Sequence, residues 1–233
     1  PGNGALEISF QYTGTNFTME HEASNVKKNR PYDGGRRRES ARRNRDAIVE
    51  AAERRFLRDG YASTTVAAVA ADAGVSVDTI YKAFGGKPGL VRAIRIRALE
   101  GEGPVPAEQR SDALHHGERD PRKIIRAWGA LTAEVAPRVA PILLLIRSAA
   151  ATDAEAVALL EEMDADRLRR MTDNARRLRD AGHLRRGITL ARTADVLWTY
   201  SAAELYELLV LRRGWSPGRY GRFVADAMID ALL

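Results

Sequence analysis

Cysteine is absent from the 233 residues. That excludes a disulfide framework, a thiolate-ligated metal and a cysteine nucleophile, and it suits a reducing, cytoplasmic setting. Aromatic residues make up only 6%, too few for a sandwich of aromatic and β-branched strands. The scattered valines never alternate with polar residues over five positions, so no strand is predicted. No uninterrupted apolar run reaches the roughly 18–20 residues of a membrane span; the longest, Val139–Ile146, is short and contains Pro141. The motifs of metalloproteases, serine hydrolases and phosphate-binding loops are missing, and Gly85-Gly86-Lys87-Pro88 has neither the spacing nor the hydroxyl of the last. The chain therefore reads as no enzyme, without cofactor or metal. His115 and His116 are adjacent, so they diverge in direction and do not form a metal pair, which on a helix needs a spacing of three or four.

What is present is alanine, arginine and charge. Hydrophobic residues are 45% and charged residues 29%, the balance of a globular chain. The formal charge is +6 and the isoelectric point about 9.8, but the excess is local. Nine basic residues (Lys27, Lys28, Arg30, Arg36, Arg37, Arg38, Arg42, Arg43 and Arg45) face only Asp33 and Glu39, which leaves the rest almost neutral. A basic segment on a neutral body is the electrostatic footprint of a polyanion partner.

Breakers divide the chain. Residues 1–40 carry Gly-Asn-Gly, Asn-Arg-Pro and Asp-Gly-Gly without apolar period, and are expected to be a flexible basic arm. Ile48, Ala52 and Phe56 recur at four-residue intervals in a predicted helix from about Arg42 to Asp59, stopped by Gly60. A short helix over Val66–Ala73, capped by Thr64 or Thr65, a turn at Gly74, and a second short helix over Val77–Phe84, capped by Ser76, follow. Lys87-Pro88 opens the next helix, with proline in the first turn. Residues 101–117 are expected to be a loop. Asp120-Pro121 starts a helix to about Val135, interrupted at Pro137 or Pro141, and Asp153 caps a long one to Gly182. Its carboxylates over Glu155–Asp166, mixed with arginines, read as a solvated face. Thr189 opens a helix to about Arg213, and Ser216-Pro217 the last. The fold class is all-α, with a unit at 41–88 ahead of a helical domain at 89–233.

The pair Val66–Phe84 has the pattern of two helices crossing at a sharp angle. Ala70 is small where they cross, Gly74 permits a left-handed backbone, and Val69, Ala73, Val75, Ile80 and Phe84 face inward. That leaves Ser76, Val77, Asp78, Thr79, Tyr81 and Lys82 outward on the second helix, where a helix-turn-helix enters the major groove. Asp78 either reads a cytosine amino group or pairs with Lys82. From Arg45 to Lys87 the chain, with Phe56, Gly60-Tyr61, Thr64-Thr65-Val66, Ala73-Gly-Val-Ser76, Thr79-Ile-Tyr81, Phe84 and Lys87, closely resembles the signature of the TetR (tetracycline repressor) family.

The resemblance implies a homodimeric regulator that binds a double-stranded DNA operator and a small-molecule effector. It places DNA contacts at Thr65, Ser76, Thr79, Tyr81, Lys82 and the phosphate-binding position Lys87. A helix N-terminus with a lysine beside it is a sound phosphate site in its own right. Ala83 departs from the larger residue common there. The apolar stripes Ala194, Leu197, Trp198, Ser201, Leu205, Leu208, Leu209 and Tyr220, Phe223, Val224, Ala227, Met228, Ala231, Leu232 suit a four-helix dimer interface or an internal core. Trp128, Trp198, Tyr200 and Tyr206, with Arg126, Glu134 and Arg147, are candidates for lining an effector pocket, or for core packing. An architectural DNA-binding protein, or a helical small-molecule binder with weak or non-specific DNA binding, are the competing readings. The long C-terminal half argues against the former and the Tyr81-Lys82…Lys87 surface against the latter.

Overall fold

The computed structural model describes residues 34–101 and 104–233. Ten α-helices and one π-helical segment succeed one another there, with no strand among the described residues. They are α1 (Gly34–Asp59), α2 (Val66–Ala73), α3 (Val77–Phe84), α4 (Lys87–Glu100), α5 (Ala107–Gly117), α6 (Pro121–Ala149), α7 (Ala154–Asp180), α8 (Leu190–Tyr200), α9 (Ala203–Tyr206), a π-helix (Glu207–Arg212) and α10 (Pro217–Leu232). The all-α reading holds.

Four boundaries differ from the sequence expectation. The first helix begins at Gly34, not near Arg42. No breaker follows Gly35, and the surface pairs Arg43–Glu39 (3.7 Å) and Arg42–Asp46 (4.0 Å) lie at helical spacing. The remainder of the expected arm, with Lys27, Lys28 and Arg30, lies outside the described residues. Residues 107–117 form a helix, not a loop. Its buried or half-buried positions include Ala107, Arg110, Ser111, Asp112 and Leu114, only two of them apolar, so hydrophobic period could not reveal it. The helix from Pro121 runs unbroken to Ala149 with Pro137 and Pro141 inside it. Each proline removes one backbone hydrogen bond, and burial of Ala136, Ala140, Ile142 and Ile146 on the same helix holds the rod together. The helix expected over 189–213 is broken at Ser201. There the Arg167 guanidinium donates to the Trp198 carbonyl and to Ser201 Oγ, supplying partners that the helix would otherwise have provided.

Two apolar clusters organise the bundle. In the first, Ile48, Ala52, Phe56, Val69, Ile80, Leu90 and Ile94 pack with Ile142, Ile146, Leu159 and Met163. Helix α4 and the ends of α6 and α7 therefore share a core with α1–α3, and no gap in packing follows residue 88. The second joins Ile124, Ile125, Trp128, Ala175, Leu197, Tyr206, Tyr220, Val224, Met228 and Leu232. Here α6 and α10 meet backbone to backbone: a Cβ added to Gly129 would lie 2.4 Å from the Gly221 carbonyl oxygen, and one added to Gly221 2.3 Å from that of Gly129. Among the described residues α6 alone is long and apolar enough to cross a bilayer. It packs against α4, α5, α7, α9 and α10, and 28% of its apolar window is buried.

Candidate DNA-reading surface and effector cavity

Helices α2 and α3 are short because their caps are strong. Thr65 Oγ1 accepts from the Ala68 amide at 3.1 Å, and Ser76 Oγ accepts from the Thr79 amide at 3.1 Å. Thr64 is the other half of the choice: its hydroxyl is buried and donates to the Gly60 carbonyl at 2.7 Å. Gly74 ends α2 in the left-handed region at φ 66°, where a Cβ would be strained. A bidentate pair, Arg55 to Asp72 at 2.6 and 2.8 Å, bolts α1 to α2, and the Arg55 hydrogen bond holds the Asp72 carboxyl below the ordinary carboxylate range.

The second helix of the pair has two unlike faces. Ile80 is wholly buried, while Val77 is 40% and Tyr81 55% exposed. Thr65, Ser76, Asp78, Thr79 and Lys82 are exposed as well. Asp78 pairs with Lys82 at 2.7 Å, the second of its two expected roles, and that pairing mutes an acid on this surface. Ser76 and Thr79 share a hydrogen bond of 2.8 Å between their hydroxyls. Lys87, in the first turn of α4, holds its ammonium 4.2 Å from the centre of the Tyr61 ring, fixed beside a helix N-terminus. Arg45, from α1, donates to the Ala83 carbonyl at 3.2 Å and lies 4.4 Å from the centre of the Phe84 ring.

A cavity of about 570 Å³ opens between α4, α5, α6 and α7. Ile96, Leu99, Leu131, Val135, Val139 and Leu143, from α4 and α6, are apolar; Asp164, Asp166, Arg167 and Arg170 make the α7 side polar, with Met163 and Met171 between and Arg95 reaching in from α4. Arg167 is the deepest of these charges: burial lowers its guanidinium from the usual arginine range against the pull of Asp164, and its ring partner is Trp198 at 4.3 Å.

None of the pocket residues expected from the sequence lines this cavity. Trp128 packs in the second core, Arg126 is exposed on α6, and Tyr206 is buried edge-on to Tyr220 at 5.5 Å. Tyr200 packs on that same core. Glu134 pairs with Arg110. Arg147 and Trp198 sit one layer behind the wall: Arg147 pairs with Asp164 at 3.4 Å and with Glu204, and Trp198 backs Arg167. The physical reason is that large aromatics at helical spacing gain most by filling a core. The overlooked signal was Met163, Arg167, Arg170 and Met171, which share one face of α7 at spacings of three, four and eight. Among the described residues no three His, Asp or Glu side chains are grouped to hold a metal ion.

Three polar contacts tie Tyr61 and α4 to α7. The Tyr61 hydroxyl donates to Glu155 at 2.6 Å; Arg92 forks onto Glu162 at 2.6–3.1 Å; Arg95 reaches Asp166 at 3.0 Å. Glu155, Glu162 and Asp166 fall on one stripe of α7, at spacings of seven and eleven. Burial first, and Glu155 second, push the Tyr61 phenol far above its ordinary value, so it stays a donor. The Arg92 hydrogen bond holds Glu162 below the ordinary carboxylate range. Such a contribution is fully present above the unfolded value of about 4.3 and is lost as pH falls through the lowered one. The α4–α7 junction should therefore loosen on acidification below about pH 4. Hydrogen exchange of α4 amides at stepped pH checks this: Glu162→Gln should already show the loosened pattern near neutrality, and protection identical to wild type would refute it.

The geometry is that of a two-helix reading unit joined to a helical body with a cavity. Residues 48–94 match the family model described as bacterial regulatory proteins of the tetR family. The chain therefore carries a TetR-family DNA-binding domain over these residues. It is accordingly a DNA-binding transcriptional regulator with a helix-turn-helix, and the TetR-family match is to regulators, not enzymes. The complex of SmeT with triclosan is similar at 25% identity and a TM-score of 0.62, covering 82% of this chain and 91% of that one. FadR from Bacillus halodurans, a fatty acid degradation regulator, is 15% identical with a TM-score of 0.62, over 80% and 94%. NalD, the secondary repressor of the MexAB-OprM multidrug efflux pump in Pseudomonas aeruginosa, is 18% identical with a TM-score of 0.62, over 82% and 98%. The last two share the TetR fold at identities that speak for the fold alone. No curated protein sequence matches the chain.

Proposed function

We propose that this chain is a homodimeric repressor released from a palindromic operator when a small molecule enters the cavity between α4, α5, α6 and α7. In this reading α3 lies in the major groove. Val77, Thr79 and Tyr81 meet base edges or methyl groups, and Thr65, Ser76, Lys82 and Lys87 meet phosphates. Asp78 orients Lys82. The second copy docks on the exposed apolar surface near the C-terminus, where Leu208 is 50%, Leu211 56% and Phe223 39% exposed; two reading helices are needed to meet half-sites about 34–36 Å apart.

The observation that carries the reading is that Arg95 and Asp166, which tie α4 to α7, are also wall residues of the cavity. A ligand whose polar group competes for either changes the hold of α7 on the helix that follows the reading unit. Coupling requires the ligand to prefer the form with misplaced reading helices. At about 1–3 kcal/mol it lowers operator affinity some 5- to 150-fold, and DNA weakens the ligand equally. The similar structures include one bound to triclosan, one fatty acid regulator and one regulator of a multidrug pump, which favours apolar or amphipathic compounds as the first to try.

The test begins with selection of bound fragments from genomic DNA, expected to give one two-fold symmetric motif. Compounds, triclosan and medium-chain fatty acids first, are then screened by tryptophan fluorescence, since Trp198 stands behind Arg167. A hit should bind more weakly when the selected DNA is present, and Arg95→Met should shrink that difference. Failure to recover any motif sinks the operator claim. A hit that binds equally with and without DNA sinks the release mechanism.

A further inference from the structure

Charges on and behind the cavity wall balance almost everywhere. Among the described residues, Asp164 and Glu204 meet Arg147 and Arg167, Glu108 and Asp112 meet Arg170 and Arg177, and Asp173 meets Arg176. The exception stands where α4 lies against α7. There Asp166 takes two guanidiniums, Arg95 from α4 at 3.0 Å and Arg169 from its own helix. The neighbouring acid, Glu162, is already matched by Arg92. This corner of the wall therefore carries one uncompensated positive charge.

The two arginines are not equivalent. The Arg95 side chain is 16% exposed and that of Arg169 70%. Water serves Arg169, but a guanidinium as enclosed as Arg95 needs a partner, because a buried charge left alone costs far more than a matched one. The corner therefore responds differently to ligands of the two signs. A cation competing for Asp166 would strand Arg95 and bring in a third positive charge. An anion competing for Arg95 strands nothing: Arg95 passes from one acid to another, Asp166 stays with Arg169, and the corner becomes neutral. Apolar surface lies close by. Leu99 is one helical turn from Arg95, and Val139 and Leu143 of α6 and Met163 of α7 line the same cavity.

We propose that the cavity takes an amphipathic monoanion, an acid head on an extended apolar body, whose head captures Arg95 from Asp166. For its effect on DNA it rests on the release mechanism given above, and it decides which of the two tied residues the ligand competes for. A guanidinium fork suits a carboxylate held by two parallel hydrogen bonds, and it stays charged at every relevant pH. The Arg95–Asp166 bond is one of the ties between α4 and α7. Its exchange for an Arg95–ligand bond is thus the step by which occupancy reaches the helix behind the reading unit.

The test uses the full chain without DNA and three probes of one chain length: decanoate, decanol and decyltrimethylammonium, each below its micelle-forming concentration at neutral pH. Isothermal titration calorimetry should show decanoate binding roughly 10- to 100-fold more tightly than the alcohol, with the ammonium weakest. Asp166→Asn removes the competitor for Arg95 and should tighten decanoate about 2- to 5-fold. Arg169→Ala deprives Asp166 of its second partner and should weaken decanoate by a similar factor; neither change should move the alcohol. Arg95→Met should bring acid and alcohol to similar affinity, with melting curves showing that each variant is folded. Decanoate no tighter than the alcohol, the ammonium tightest, Asp166→Asn no better than wild type for decanoate, or no binding of any probe would each overturn the proposal. Anisotropy on the selected operator separates it from the release reading. Decanoate bound with this preference yet without effect on operator affinity ends the release mechanism and leaves the anion site. The alcohol bound best and releasing DNA ends the anion site and leaves the mechanism.

Discussion

Gly221→Ala should unfold at lower urea than wild type, although alanine normally stabilises a helix interior by about 1 kcal/mol over glycine. The sign reverses because of what the new methyl would meet. It would lie 2.3 Å from the Gly129 carbonyl oxygen and 2.8 Å from Ala133 Cβ. A carbonyl inside a long helix cannot swing away as a side-chain tip can, so α6 and α10 must separate. Parting the most extensive helix pair of the bundle strips contacts from Trp128, Val224 and Ala225 as well. Overpacking costs about 1–3 kcal/mol, occasionally more, and a backbone obstacle belongs at the upper end, so a net loss of about 2–3 kcal/mol is expected. Gly129→Ala should behave alike, and the double change should not add, because both insert into one crossing. Chemical denaturation followed by circular dichroism decides it. A variant as stable as wild type would mean that the two helices are not in backbone contact. Gly74 offers the contrast: a Cβ there meets nothing within 4 Å, but φ is +66°, so Gly74→Ala costs only the left-handed strain of about 1–2 kcal/mol.

Tyr81→Ala should leave folding untouched and lower affinity for the selected operator about 5- to 150-fold, the worth of one good base or phosphate contact of 1–3 kcal/mol. Tyr81 is 55% exposed and belongs to neither apolar cluster, so its removal costs no core packing. Lys87→Ala should differ in kind, with weaker binding to every duplex and a salt slope flatter by about 0.9. Thr79→Val keeps the shape of the side chain but removes its hydroxyl, and should change the preferred base beneath it. Tyr81→Phe separates the two jobs of the ring: retention of affinity assigns it to a methyl or stacking contact, loss assigns it to a hydroxyl–phosphate bond. Anisotropy titrations on operator and scrambled duplex, with melting curves as the check on folding, read all of these. Wild-type affinity for operator in Tyr81→Ala would remove α3 from the interface.

Legibility in the sequence tracked how local each interaction is. The reading unit was visible because its determinants lie within a few residues of what they control. Ser76 caps the helix that starts beside it, Gly74 supplies the turn in which it sits, and Ile80 and Tyr81 take opposite faces through helical geometry alone. The pairing of Asp78 with Lys82 is a four-residue matter, and it too could be anticipated. Helix α5 was hidden for the converse reason: Arg110 and Ser111 face inward because Glu134 and the cavity wall are there to receive them, and both partners are distant in the chain.

The sequence by itself therefore determined the all-helical class, the two-helix reading unit, its exposed face and the basic segment leading into it, since period, caps and charge runs are written in adjacent residues. Only the tertiary structure decided which side chains surround the cavity, that Trp128 and Tyr206 belong to the core while Arg95 and Arg167 line the wall, that two glycines 92 positions apart touch, and that Tyr61, Arg92 and Arg95 grip a single stripe of α7. These are contacts between segments far apart along the chain. Their formation depends on the packing of whole helices, and no local pattern of residues encodes which helix a given face will meet.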